Sequence, residues 1–247
     1  MINENNVHTT TCDIFNRTEL LLGTDFMSEI KTKRVILFGI GGVGSWCAEG
    51  LIRSGIEHIT IVDFDIVNTS NINRQLMATT KNIGKPKVEE LKNRFLTINP
   101  DIEIISVQDK ISAKNIDSFN LSSYDYIIDA IDSLEDKAIL ILKACETNAV
   151  LFSSMGAALK LNTEKIAVTE FWKVKGCPLA RALRQKFKKQ KLFPRHKFLC
   201  VYSDELLKNK GENSEHANGS MVHITATFGM ILSGLVIQDI NKKLTSE

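Results

Sequence analysis

Short apolar runs alternate with helical periodicities through the first 155 residues. Arg34–Gly39, His58–Asp63, Ile102–Val107, Tyr124–Ala130 and Val150–Met155 are rich in β-branched and aliphatic residues. Turn residues bound them, which predicts buried strands. Val43, Cys47, Ala48 and Leu51 recur at helical spacing and predict a helix over Val43–Ser54. Pro86 falls in the first turn of a further helix, which ends near Asn99-Pro100. Asp132–Asn148 reads as another helix. Residues 16 to 30 read as one short helix with Leu20, Leu21, Leu22, Phe26 and Ile30 as its apolar positions. Strand-helix alternation of this kind predicts an α/β fold. The expected sheet is Rossmann-like, doubly wound and mostly parallel, with helices on both faces.

Past Gly156 the order loosens into a C-terminal extension. Ile166–Phe171 and Lys197–Tyr202 read as strands, Leu179–Lys191 as a basic helix and Asp204–Ser220 as a polar loop. Met221–Ile240 is a last, largely apolar helix of membrane-spanning length. His223, Thr225, Thr227, Gln238 and Asp239 within it favour burial against the sheet over membrane association, because polar groups are costly in hydrocarbon. No Gly/Ser-rich or Pro-rich linker divides the chain. Residues 1–247 are therefore expected to form a single domain, with 1–155 as a nucleotide-binding core and 156–247 as the substrate-facing part.

The 43% hydrophobic and 24% charged content fits a soluble globular chain and excludes a disordered one. The five cysteines (Cys12, Cys47, Cys145, Cys177 and Cys200) form no C-x-x-C pair. That argues for a reducing compartment and against structural zinc. Met1–Thr11 lacks the apolar stretch of a signal peptide, so a cytoplasmic location is expected. The net charge of +2 conceals an asymmetry: Lys173 to Lys197 holds ten basic residues and no acidic one, leaving −8 elsewhere. Such a block suggests an anionic partner, nucleic acid first, with a solvated helix face as the plain alternative. Phe187, Phe193 and His196 lie within the block as candidates for base stacking, although a structural role is favoured for each. Cys200, between Leu199 and Val201 on an expected strand, reads as a small buried hydrophobe.

The chemistry begins at Gly39-Ile-Gly41-Gly42-Val-Gly44, which ends the first strand and opens a helix. Asp63 and Asp65 follow at the end of the second strand. This is the dinucleotide-binding fingerprint: glycines admit a phosphate to the backbone, the helix N-terminus attracts it, and Asp63 falls where a carboxylate binds ribose hydroxyls. A nicotinamide-dependent oxidoreductase is the default reading of that motif. The next residues depart from it. Asn71-Ile-Asn-Arg74-Gln75 and Gly84-Lys85-Pro86-Lys87 supply amides and cations that a triphosphate requires and a hydride does not. Asp132, after the Tyr124–Ala130 strand, is placed to hold Mg²⁺ on the phosphates. Its alternative is a helix N-cap.

Gly39-x-Gly41-Gly42-x-Gly44, Asp63-Phe-Asp65, Asn71-x-x-Arg74-Gln75, Lys87 and Asp129-x-x-Asp132 resemble the adenylation domain of the ThiF/MoeB/ubiquitin-activating superfamily. The resemblance implies that Gly39, Gly41, Gly42, Gly44, Asp65 and Asn71 help seat ATP and that Asp63 binds its ribose. It implies further that Arg74, Gln75 and Lys87 hold the triphosphate and that Asp132 organises Mg²⁺. An arginine on the N-terminal helix reaches the partner's γ-phosphate in that superfamily, and Asn16-Arg17 matches the segment, implying a homodimer with Arg17 acting in trans.

Within the superfamily the second half resembles the tRNA threonylcarbamoyladenosine dehydratase family. Gly42-Val-Gly-Ser-Trp46, Ser70-Asn-Ile-Asn-Arg-Gln75, Asp129-Ala-Ile-Asp-Ser133, Pro178-Leu-Ala-Arg181, Cys200-Val-Tyr-Ser-x-Glu205 and Ile224-Thr-Ala-Thr-Phe-Gly229 carry that likeness. Cys177 replaces the family's Asp before Pro178. Ser214-Glu-His216 stands where some members carry a cysteine linked to sulfur transfer. The resemblance implies ATP-dependent cyclisation of a threonylcarbamoyl carboxylate beside the anticodon, through an acyl adenylate. Its implied partners are tRNA, a second copy of the chain and a cysteine desulfurase or sulfur-acceptor system. Lys173, Arg181, Arg184, Lys186, Lys188, Lys189 and Lys191 are the candidate phosphate contacts to tRNA. Three alternatives stay open: activation of a ubiquitin-like sulfur carrier, an ATP-sensing tRNA-binding module without catalysis and, least favoured, an NAD oxidoreductase.

Overall fold

The computed structural model describes residues 14–211 and 218–246. Seven strands form one sheet in the order β3-β2-β1-β4-β5-β7-β6. They are β1 (Arg34–Phe38), β2 (His58–Val62), β3 (Glu103–Val107), β4 (Tyr126–Asp129), β5 (Val150–Ser154), β6 (Ile166–Glu170) and β7 (Leu199–Ser203). Six run parallel; β6 alone runs antiparallel, against β7. The helices are α1 (Asn16–Leu22), α2 (Thr24–Thr32), α3 (Gly44–Ser54), α4 (Lys87–Ile98), α5 (Leu134–Ala144), α6 (Pro178–Gln190) and α7 (Val222–Leu244).

Alternation along a strand sends neighbouring side chains to opposite faces. In β1, Val35 and Leu37 join one core, with α2, α3, α4 and α7. Ile36 and Phe38 join the other, with α5 and α6. The apolar stripe of α6, Ala180, Leu183 and Phe187, is wholly buried there. Burying a side chain such as Phe187 stabilises by about 1.5–3 kcal/mol. Helices therefore cover both faces, as the alternation of the sequence predicts.

The last helix also lies where its polar residues place it. Ile224, Phe228, Leu232, Val236 and Ile240 of α7 sit in the first core, and Gly229 presses against α3. A Cβ at Gly229 would stand 2.5 Å from the Val43 carbonyl oxygen. Among the described residues α7 is the one helix long and apolar enough to cross a membrane. It continues to Leu244, four residues past the expected end.

Two local expectations fail. Residues 16 to 30 make two helices rather than one, because Gly23 adopts φ 88° between α1 and α2. α1 then buries none of its residues, and Leu20 and Leu21 stand 72% and 79% exposed. The helix after β4 starts at Leu134 with Ser133 as its N-cap residue, so Asp132 does not cap it.

Chain direction decides what reaches the site. Parallel strands β1, β2, β4, β5 and β7 all end at one edge of the sheet. The order of strands reverses between β1 and β4, which opens a crevice outside their C-terminal ends. Because β6 is reversed, it leaves that edge and Phe171 lies at the opposite one. Residues 174–177 climb back, and α6 starts at the crevice and descends again over about 20 Å.

Candidate nucleotide-binding site

A cleft of about 760 Å³ fills the crevice. Gly39, Gly41, Gly42, Asp63, Asp65, Asn71, Arg74, Gln75, Lys87 and Asp132 all line it. Residues scattered over ninety positions thus converge because each follows the end of β1, β2 or β4, or the turn that α3 holds.

The floor is the β1–α3 turn. Gly39 has φ 81°, and a Cβ there would meet the Ala130 carbonyl oxygen at 2.8 Å, so only glycine fits without strain. Gly44 does not line the cleft. It lies in the first turn of α3, where a Cβ would come within 1.8 Å of the Gly39 carbonyl oxygen. The expectation that all four glycines meet phosphate is corrected for this one: Gly44 lets the helix start close behind the turn. Ser45, wholly buried, ties the turn to the next segment, donating to the Gly41 carbonyl and accepting from the Leu76 amide.

At the β2 end, Asp63 accepts from the Ile40 amide at 2.8 Å and the Asp65 amide at 2.9 Å. Its carboxylate is thereby aimed into the cleft beside β1. Burial pushes the Asp63 carboxyl above the usual carboxylate range, and the Lys87 charge and the two amides pull it partly back. Lys87 opens α4 almost fully buried, and its Nζ lies 2.7 Å from Asp65 Oδ2. Its backbone amide also donates to the Asp65 carbonyl. The pair locks the β2 loop to the α4 N-terminus and presents a cation to the cleft.

The third wall is the turn from Asn68 to Gln75. Asn71 Oδ1 accepts from the Asn68 amide, and Trp46 Nε1 on α3 donates to the Arg74 carbonyl. Arg74 Nη1 donates to the Ser70 carbonyl at 2.7 Å and to Asn73 Oδ1 at 2.9 Å. Gln75 is 7% exposed, and its Oε1 has no hydrogen-bond partner. An orphaned buried acceptor in a cleft wall is costly unless a ligand supplies the donor.

Asp132 is exposed on the loop after β4. Beneath that loop lies a pair that sequence reasoning left without a role. Lys137 Nζ lies 2.8 Å from Asp129 Oδ2, with both side chains 0% exposed. Ser153 donates to the same carboxylate, and Lys137 also donates to the Ile131 carbonyl. The Asp129-x-x-Asp132 spacing shows the loop; nothing in the sequence marks Lys137, on the first turn of α5, as its anchor. Among the described residues no group of three or more His, Cys, Asp or Glu is placed to hold a metal ion.

The cleft continues past β4 to the ends of β5 and α6, lined by Ser154 to Lys160, Cys177, Pro178 and Leu179. Arg17 is not part of it; this residue stands exposed on α1. Cys200 is fully buried, as its strand position predicts, and burial pushes its thiol well up. Cys12 and Ser214–His216 lie outside the described residues.

The basic block divides. Lys173, Arg181, Lys188, Lys189 and Lys191 are exposed. Arg184 and Lys186 are not free cations. Arg184 Nη1 donates to the Phe171 and Val174 carbonyls and staples α6 to the climbing segment. Lys186 pairs with Glu135 of α5. Of the aromatic candidates, Phe187 is core. Phe193 is exposed, 6.1 Å from the Trp172 ring. His196 contacts the Thr147 carbonyl.

A glycine turn, a carboxylate at the end of the second strand and a cationic turn at the switch point of a doubly wound sheet define a nucleotide-binding α/β protein. Residues 15–247 match the ThiF family, and the chain belongs to that family. It is 31% identical to the tRNA threonylcarbamoyladenosine dehydratase of Bacillus subtilis (strain 168), an alignment covering 93% of this chain and 95% of that protein. Two crystal structures of the E. coli tRNA N6-threonylcarbamoyladenosine dehydratase share its fold. The AMP complex aligns with TM-score 0.88 at 31% identity, and the ATP complex with 0.87 at 32%. Each alignment covers 96% of this chain and 97% of the other.

Proposed function

We propose that this chain is an ATP-dependent tRNA threonylcarbamoyladenosine dehydratase. One observation carries the reading: the glycine cradle, Asp63 and the Arg74–Gln75–Lys87 group meet in one cleft, in a chain similar over nearly its whole length to dehydratases. The residues fit ATP. Gly41 lines the cleft with its backbone open, no atom coming closer than 3.6 Å to where a Cβ would stand, and Arg74 and Lys87 offer cations. Gly41, Gly42, Asp65 and Asn71 complete that seat. Asp132 on the loop after β4 fits Mg²⁺, which takes one or two carboxylates and keeps phosphate oxygens and water as its other ligands.

The substrate acid is ionised at neutral pH, so no general base is needed. One of its oxygens bonds to the α-phosphorus while the bond from that phosphorus to the bridging oxygen breaks, releasing pyrophosphate. The carbamoyl group of the same modification then attacks the activated carbonyl, the bond from that carbonyl to AMP breaks, and a carbamoyl N–H proton passes to solvent as the ring closes. Closure within one molecule has a very high effective concentration. Arg74 and Lys87 neutralise the charge of the departing pyrophosphate.

The sheet works as one unit, with residues 14–155 seating the nucleotide and 156–246 facing the tRNA. The crevice takes the anticodon loop. The exposed cations Lys173, Arg181, Lys188, Lys189 and Lys191 flank α6 and grip stem phosphates away from the crevice. α1, with no buried residue and two exposed leucines, supports a homodimer that covers it and delivers Arg17 to the partner's γ-phosphate. A cysteine desulfurase or sulfur-acceptor partner and a cytoplasmic location belong to the same reading.

The test is incubation with ATP, Mg²⁺ and tRNA bearing threonylcarbamoyladenosine, followed by nucleoside mass spectrometry. Loss of one water is expected. Retention of the full mass overturns the reading, and pyrophosphate release driven by a protein ending in Gly-Gly, and not by tRNA, replaces it with carrier activation. Mixing Arg17→Ala with Arg74→Ala protomers is expected to restore part of the activity that each lacks alone, which a cis role for Arg17 forbids.

A further inference from the structure

The far end of the cleft holds a charge that the nucleotide does not explain. Lys160 lines it and is only 4% exposed. A buried ammonium is costly unless paired. Among the described residues no carboxylate forms an ion pair with it. Its Nζ donates to the Glu205 backbone carbonyl, and the charges around it belong to Glu205 and Asp204. The Glu205 carboxylate itself is taken, accepting from the Leu161 and Asn162 amides at 2.7 and 2.9 Å. An ammonium has three donors, so two remain for a group in the cleft.

The backbone is shaped to keep Lys160 there. Leu159 adopts φ 59°, a left-handed conformation that is costly for a branched residue. Its amide donates to the Gly219 carbonyl and its carbonyl accepts from the Leu207 amide, so the strained turn is pinned from both sides. His223 on α7 also contacts the Leu161 carbonyl. This loop emerges from β5, two strands from β1, hence about 10 Å from the glycine turn along the sheet edge. Burial lowers the Lys160 pKa, and the nearby Glu205 and Asp204 charges pull it partly back.

We propose that Lys160 binds the free carboxylate of the acid substrate, holding one oxygen while the other faces the α-phosphate. The assignment rests on the dehydratase reading above and specifies its substrate end. Removing a charge-assisted hydrogen bond to a bound anion is expected to cost about tenfold or more in affinity.

The experiment compares wild type with Lys160→Met, measuring affinity for tRNA bearing threonylcarbamoyladenosine, for the same tRNA without the modification, and for ATP. Wild type is expected to prefer the modified tRNA, and Lys160→Met to lose that preference while keeping its affinity for ATP and unmodified tRNA. Lys160→Gln, which retains a donor for the Glu205 carbonyl, replaces it if thermal unfolding shows the methionine variant to be misfolded. A variant that keeps the preference overturns the assignment. So does one that loses ATP affinity in the same proportion, since Lys160 is then a phosphate residue. If wild type itself neither prefers the modified tRNA nor releases pyrophosphate with it, the dehydratase reading fails instead.

Discussion

Lys87 and Lys160 in the cleft are almost wholly buried, whereas Lys188, Lys189 and Lys191 at the end of α6 stand in solvent. The first group is held one residue at a time: Lys87 by Asp65, Lys160 by a backbone carbonyl. Among the described residues the second group forms no ion pair. Buried, positioned cations act on a defined atom and tolerate little change. Exposed ones act through their number and are weakened by salt. Charge density along the sequence marks the second kind and misses the first.

The contrast can be tested by removing one cation at a time. The largest effect is expected where a buried charge loses its partner. Lys137→Met leaves Asp129 uncompensated beneath the cleft and should cost about 3–5 kcal/mol of stability by denaturant unfolding. Arg74→Ala comes next: a roughly 10²- to 10³-fold loss in kcat for pyrophosphate release, with an unchanged unfolding midpoint. An equal loss of stability would place Arg74 with the structural residues instead. The exposed group should behave otherwise. Replacing Lys188, Lys189 and Lys191 together by Gln should reduce the slope of log affinity for tRNA against log salt by about 3 and leave the unfolding midpoint untouched. No change in slope would remove α6 from the tRNA surface.

The smallest effect belongs to a cation pair far from the cleft. Burial raises the Glu49 pKa, but hydrogen bonds and charge from Arg94 and Arg53 lower it further, so its net shift is downward. A carboxylate with a depressed folded pKa adds stability above its unfolded value near 4.5, and that stability is lost as pH falls through the folded value. Both arginines face solvent, so Glu49→Gln should cost only about 1 kcal/mol at neutral pH. Its unfolding curve should converge with wild type as the pH falls below that of the Glu49 titration.

The nucleotide end was legible because its chemistry sits on local signals. Glycines, Asp63 and the Asn71–Gln75 segment each follow a strand end, and apolar runs reveal strand ends. Gly44 shows the limit: the motif includes it, but only three dimensions separate a glycine that meets a ligand from one that admits a helix. Arg184 and Lys186 show another, since their acceptors lie on segments 10 to 51 residues away. The break at Gly23 was missed because the apolar positions continue across it at helical spacing. Lys160 carried no signal at all. Its burial comes from the loop after β5 meeting the segment after β7, a contact that spans 45 residues.

The reversed strand β6 has an evolutionary reading. The stretch from Gly156 to Leu179 departs from the crevice and comes back to it, so both of its termini line the cleft while its middle hangs from the sheet margin. Such a stretch can be exchanged whole between relatives without cutting the turns after β1, β2 and β4 that line the other end of the cleft. Chimeras spliced at Gly156 and Leu179 are expected to alter what one end of the cleft accepts while affinity for ATP stays unchanged.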